Sequence, residues 1–196
     1  CNHPALALSE HAVDESFLGR SAKLQRLEEI LDVVMEAGDR ALLFTQFAEW
    51  GHLLQSWMQQ RWKADVPFLH GGTRKSERQA MVDRFQEDPR GPQLFLLSLK
   101  AGGVGLNLTR ASHVFHIDRW WNPAVENQAT DRAYRIGQTN RVMVHKFITS
   151  GSVEEKIDRM IREKSRLAED VIGSGEDWLG SLAGDQLRNL VALEDT

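Results

Sequence analysis

Five short apolar runs, set between stretches of helical spacing, do most to limit what this chain can fold into. They are Ala41 to Thr45, Val66 to His70, Gln93 to Ser98, His113 to Asp118 and Val142 to Thr149. A continuous run such as Ala41-Leu-Leu-Phe-Thr45 marks a strand covered on both faces. Helical stripes lie among them: Leu24, Leu27, Leu31 and Val34 ending at Gly38; Leu53, Leu54, Trp57 and Met58; and Ala80, Met81 and Phe85. Apolar strands alternating with helices predict an α/β fold, a mostly parallel sheet with helices on both faces. Ligands of such sheets gather outside the carboxyl ends of strands. Every unusual loop here follows a strand: Gly71-Gly72, Lys100 to Leu108, and Trp120 to Pro123.

Residues 1–20 carry no periodicity and read as an irregular lead-in, and 21–150 form the α/β body. The character changes after Gly151. Ser152 and Glu155 make a capping box, and Val153, Ile157, Met160, Ile161 and Leu167 continue one helical stripe. Gly173-Ser-Gly175 breaks it, and Asp177 to Leu193 reads as an acidic helical tail, so 151–196 forms a helical extension.

Charge is uneven along the chain. Residues 98–146 hold 7 basic and 3 acidic residues, whereas 1–97 hold 11 and 14 and 147–196 hold 6 and 11. Positive charge gathered in one stretch suits a local polyanion site better than a generally basic protein. The single Cys, at position 1, excludes an internal disulfide and a cysteine metal site. The seven His lack the close pairing of a zinc helix, so no metal ligands are assigned. With no long apolar run and no signal-peptide layout, a soluble intracellular protein without a membrane partner is expected. A start at Cys-Asn-His-Pro without Met suggests an excised fragment.

Four places could carry chemistry. In the first, Asn122 and Pro123 open a helix as N-cap and first residue. Gln128, Asp131, Arg132 and Arg135 then fall at i, i+3, i+4 and i+7, one face that could meet polyphosphate charge. The plainer alternative is a solvated face laced with Arg–Asp pairs. In the second, Ser98-Leu-Lys-Ala-Gly-Gly-Val-Gly-Leu-Asn-Leu108 places glycines directly after a strand, where backbone N–H groups can cradle an anion. A tight packing turn is the alternative there. A dinucleotide fingerprint with Asp118 as the ribose acid fails on register and on room for a crossover helix. In the third, His70-Gly-Gly-Thr73, with Thr73 as a hydroxyl N-cap beside Arg74, Lys75 and Arg78, could grip a phosphate, or could be a plain turn. Trp120-Trp121 is read as one buried ring and one at the loop surface, the latter suited to a nucleic-acid strand or a partner.

Taken in order, several blocks resemble the carboxy-terminal RecA-like lobe of the Swi/Snf-type family of helicase-related, DNA-translocating ATPases. They are Leu42-Leu-Phe-Thr-Gln-Phe47, Leu69-His-Gly-Gly-Thr73, Ser98 to Leu108, Asp118-Arg-Trp-Trp-Asn-Pro123, and Gln128-Ala-Thr-Asp-Arg-Ala-Tyr-Arg-Ile-Gly-Gln138. The opening Cys-Asn-His-Pro resembles the segment joining the family's two lobes, and the helix from Ser152 resembles the brace that returns across them.

The resemblance implies an ATP hydrolase in which Arg132 and Arg135 match arginine fingers reaching the γ-phosphate of ATP–Mg²⁺, itself bound mainly by the amino-terminal lobe. Gly103, Gly105 and Asn107 match positions lining the nucleotide cleft, with Gln128 and Asp131 orienting that edge. Gly71, Gly72, Thr73, Ser98 and Lys100 match contacts to the phosphates of double-stranded DNA, and Trp121 a position at its groove. Tyr134 departs from the His many members carry. No phosphate-loop motif occurs, so the lobe alone is expected to be inactive. Compact spacing favours a bacterial, cytoplasmic and nucleoid-associated member; a eukaryotic one would be nuclear. The acidic tail is a candidate contact for other proteins. A docking module of a degenerate ATPase and a strand-separating helicase remain the alternatives.

Overall fold

A computed structural model of the chain describes residues 2–10, 12–99, 106–135, 138 and 141–168. Two short turns of helix, α1 (Pro4–Ala7) and a 3₁₀ turn (Leu18–Arg20), precede α2 (Ala22–Ala37). Then come β1 (Ala41–Thr45), α3 (Ala48–Trp62), β2 (Phe68–Leu69), α4 (Lys75–Glu87), β3 (Leu94–Ser98) and β4 (His113–His116). The chain continues through α5 (Pro123–Thr130), β5 (Met143–Lys146) and α6 (Val153–Ala168). The five strands are all parallel, in the order β2-β3-β1-β4-β5.

The caps explain where α2 begins and ends. Ser21 Oγ accepts the Leu24 N–H, and Gly38 closes the helix at φ 72° with its N–H on Met35, a conformation glycine adopts without steric cost. Central β1 is buried along its whole length. Its residues alternate between two cores, as a period of two requires. Ala41 and Leu43 join α2 and α3 on one face. Leu42 and Phe44 join Val82 and Phe85 of α4 and Ala129 of α5 on the other. Each fully buried Leu or Phe contributes roughly 1.5–3 kcal/mol, so the two-sided strand sets the architecture. Gly51 lies inside α3 because a Cβ there would stand 2.2 Å from the Phe68 ring.

Four expectations need correction. The lead-in is irregular only in part and packs into the core: α1 and the 3₁₀ turn lie within it, Ala5 and Phe17 are core residues, and the His3 ring stacks 4.2 Å from Phe17 and 5.6 Å from Trp50. β2 has two residues rather than five, because Pro67 has no N–H to extend the ladder, although its carbonyl still accepts Leu96 N. β5 is not covered on both faces. It is an edge strand with Met143 and Val144 47% and 42% exposed. The box opening α6 is displaced by one residue: Glu155 takes the Gly151 N–H at 2.8 Å and Ser152 Oγ takes the Glu154 N–H at 3.2 Å.

Candidate functional site

Because all strands run parallel, the loops after β1, β2, β3 and β4 open on one edge. That edge gathers Gly71, Gly72 and Thr73 after β2, Ser98 at the end of β3, and Trp121 after β4. β1 connects outward to β2 while β4 connects the other way to β5, so the switch point lies between β1 and β4. The chain's own groups fill it. Asp118, 2% exposed, accepts hydrogen bonds from Thr45 Oγ1, from the Gln46 N–H at 2.9 Å and from the Asn2 amide. Burial pushes its carboxyl pKa up, against the opposing pull of these donors and of Lys23.

The turn after Asp118 is fixed by buried charge. Arg119 donates through Nη1 to Glu126 Oε2 at 2.6 Å, and its Nη2 lies 2.8 Å from Asp158 Oδ1 on α6. Glu126 Oε1 accepts the Trp120 N–H at 3.1 Å, and Lys146 Nζ approaches Oε2 at 3.1 Å. One turn back on α6, the Glu154 carboxylate accepts from Lys23 Nζ at 2.6 and 2.7 Å and from the Thr149 N–H at 2.9 Å. Lys23 also donates to Asn2 Oδ1 and to the Ile117 carbonyl. Trp120 and Trp121 are both half-buried and stack on each other, centroids 4.4 Å apart. The expected division into one core ring and one surface ring is therefore wrong: mutual stacking covers part of each.

Sequence reasoning missed this network of Asn2, Lys23, Arg119, Glu126, Glu154 and Asp158. Its signal was a charged residue inside an apolar pattern. Lys23 sits on the stripe that carries Leu27 and Leu31, and Glu126 occupies the first turn of α5 beneath a fully buried strand.

The arginine segment differs from the helical face expected of it. Asn122 does cap α5, accepting the Ala124 N–H at 3.0 Å with Pro123 at the first position. The helix stops at Thr130, so Asp131, Arg132 and Arg135 lie in turns and not on one helical face with Gln128. The local reason is visible. Thr130 Oγ1 bonds back to the Glu126 carbonyl at 3.1 Å, a bond that loosens helices. The Arg132 carbonyl is diverted to the Leu108 N–H at 2.9 Å, so it leaves the helical ladder.

This last bond ties the end of the glycine-rich stretch to the arginine segment. Gln138 reinforces it by donating to the Thr109, Ala111 and Ala133 carbonyls. Arg132 is 7% exposed, and burial followed by the nearby Arg135 charge lowers its pKa. Arg135, Asp131, Gln128 and Asn107 are exposed. Tyr134 is 69% exposed, so its ring meets no packing limit there. Lys100, Gly103 and Gly105 lie outside the described residues.

After β2, Thr73 does not cap α4, whose N-cap is Arg74 without a side-chain bond. The Thr73 hydroxyl instead accepts the His70 N–H at 3.0 Å, and the Gly72 N–H bonds His70 Nδ1 at 3.2 Å. The turn therefore closes on its own strand. Gly71 and Gly72 are exposed, whereas Ser98 is 5% exposed. No three His, Cys, Asp or Glu gather to hold a metal among the described residues. No helix among them is long and apolar enough to cross a membrane.

A parallel sheet of this order, with the end of the glycine-rich stretch bonded to the arginine segment, defines a RecA-like helicase lobe. The helicase conserved C-terminal domain family matches residues 22–137, more than half of the chain. A SWI2/SNF2 ATPase C-terminal domain from Sulfolobus solfataricus superposes with a TM-score of 0.76 at 39% identity, over 99% of this chain and 77% of that one. The core of that ATPase in complex with dsDNA superposes with a TM-score of 0.78 at 40% identity, over 99% of this chain and 40% of that one. The putative ATP-dependent helicase/translocase YwqA of Bacillus subtilis is 47% identical over all of this chain and 21% of its own length. The human chromatin-remodeling ATPase INO80 is 40% identical over 82% of this chain and 10% of its own. The chain belongs to the helicase C-terminal domain family, as the carboxy-terminal lobe of a SWI2/SNF2-type ATPase. It spans about a fifth or less of the length of these curated relatives.

Proposed function

We propose that this lobe serves an ATP-driven translocase of duplex DNA, lending Arg132 and Arg135 to a nucleotide seated on a preceding lobe. The observation that carries this reading is the Leu108–Arg132 backbone bond, which sets the arginines beside the end of the glycine-rich stretch. ATP–Mg²⁺, when bound, supplies the phosphoryl bond that is broken, and its metal is assigned to the other lobe. What this chain adds is positive charge. Arg135 projects from an exposed turn, and Arg132 lies close enough for the two guanidiniums to repel each other. A phosphate oxygen placed between them would relieve that repulsion, most of all as charge develops on the transferring group.

Gln128, Asp131 and Asn107 are all exposed along that edge, and Gly103 and Gly105 are assigned to the same nucleotide cleft. On the DNA side, Gly71, Gly72, Thr73, Ser98 and Lys100 hold backbone phosphates while Trp121 meets the groove. Such contacts are sequence-independent, so DNA binding weakens steeply as salt rises.

The test is DNA-stimulated ATPase activity of the intact protein carrying Arg132→Ala or Arg135→Ala. Turnover is expected to fall by about 10³-fold or more, with ATP binding retained. Near-wild-type turnover in both variants would contradict the assignment. A triplex-displacement assay beside an unwinding assay separates translocation from strand separation.

A further inference from the structure

We propose that Glu126 and Asp158 are positioning residues that set the pose of Trp121 by way of Arg119 and Trp120, so that the docking of α6 is read out at the tryptophan tip. The path is continuous. Asp158 on α6 holds Arg119 Nη2, and Glu126 holds Arg119 Nη1. The same Glu126 carboxylate takes the Trp120 N–H, and the Trp120 ring stacks on Trp121 at an interplanar angle of 25°. The side chains of Arg119 and Glu126 are 2% and 1% exposed, so these bonds are shielded from water and from salt.

Packing alone does not call for this arrangement. Apolar residues of similar volume would fill the space without the desolvation cost of buried charge. Charge-assisted bonds, by contrast, fix direction as well as distance. Arg119 Nε makes no hydrogen bond among the described residues, so the guanidinium is oriented by its two terminal nitrogens alone. Those two nitrogens face acids on two different helices. A shift of α6 along its axis therefore moves Arg119 or breaks one of its bonds. Either result reaches the amide of Trp120 through Glu126. α6 is itself registered by Glu154 on Lys23, one helical turn from Asp158 and on the same side.

The structural part of the proposal needs neither ATP nor DNA, whereas its consequence for DNA rests on the function proposed above. The first experiment therefore measures the Trp120–Trp121 exciton couplet by circular dichroism in this chain, with Trp121→Phe as the reference spectrum. Asp158→Asn is expected to weaken the couplet while the denaturation profile stays cooperative. Lys146→Gln removes a half-exposed partner of Glu126 and leaves no buried charge unpaired, so it is expected to fold and to weaken the couplet less. Arg162→Ala removes an exposed partner of Asp158 that does not touch Arg119, and the couplet should persist.

In the intact protein, Asp158→Asn should raise the KM for DNA about tenfold, the scale of one lost charge-assisted bond, while DNA-free ATPase is unchanged. Asp158→Glu should restore part of that loss. An unchanged couplet in both Asp158→Asn and Lys146→Gln overturns the proposal whatever the ATPase does. A changed couplet with an unchanged KM for DNA overturns only the link to DNA.

Discussion

The two turns that close the β4–α5 unit are held in opposite ways. The turn from Asp118 to Trp121 is clamped by side-chain charge on every side, with partners on α5, α6, β1, β5 and the lead-in. The turns from Asp131 to Arg135 are held mainly through backbone groups, by the Leu108–Arg132 bond, the short 130–134 hydrogen bonds and the Gln138 amide on the Ala133 carbonyl, with three of five side chains left exposed. The difference teaches where rigidity resides. The first turn is finished within this lobe. The second leaves Asp131, Tyr134 and Arg135 at the surface.

The sharpest way to break the comparison is to remove the clamp. Glu126→Ala leaves Arg119 and the Trp120 amide short of a buried acceptor and should cost about 3–5 kcal/mol in urea denaturation. A cost near zero would show the clamp to be decorative. The next effect lies where the two turns meet, because His116, at the end of β4, bonds Thr130 Oγ1 at 2.9 Å where α5 ends.

Burial lowers the His116 pKa to about 4, with smaller opposing and assisting effects from Glu126, Lys146 and Arg119. The native state thus keeps the imidazole neutral while the unfolded chain takes up a proton below about pH 6.5. Stability should be unaffected by this group above pH 6.5. It should fall by about 1.4 kcal/mol per unit as pH drops towards 4, roughly 3 kcal/mol in total. Asp118, whose pKa is raised, works the other way at low pH, so the wild-type curve should be compared with that of His116→Gln. Parallel curves would refute the assignment. The smallest effect belongs to the open segment. Arg135→Ala should change stability by no more than about 0.5 kcal/mol, measured in the same denaturation series.

Much of the fold was legible from pattern alone. Five apolar runs gave five parallel strands, and Gly38 and Asn122 marked helix ends by cap chemistry that acts within a few residues. Failures came mostly where distant partners decide. Pro67, within the run itself, shortened β2 by a local effect, whereas the sheet edge left β5 open because no later strand covers it among the described residues. α5 stopped early because Leu108, more than twenty residues upstream, competes for the Arg132 carbonyl. At the candidate site, the residue types were readable but not their poses. No local spacing shows that Thr73 would turn back to His70, or that Trp120 would stack on Trp121. The buried network escaped because its members, from Asn2 to Asp158, are scattered along nearly the whole chain.

Asn2 bonds the carboxylate that plugs the sheet's crevice, while His3 lies flat against Phe17 and Trp50. A domain joined ahead of Asn2 would be anchored at the cleft wall itself, without a slack tether of twenty residues.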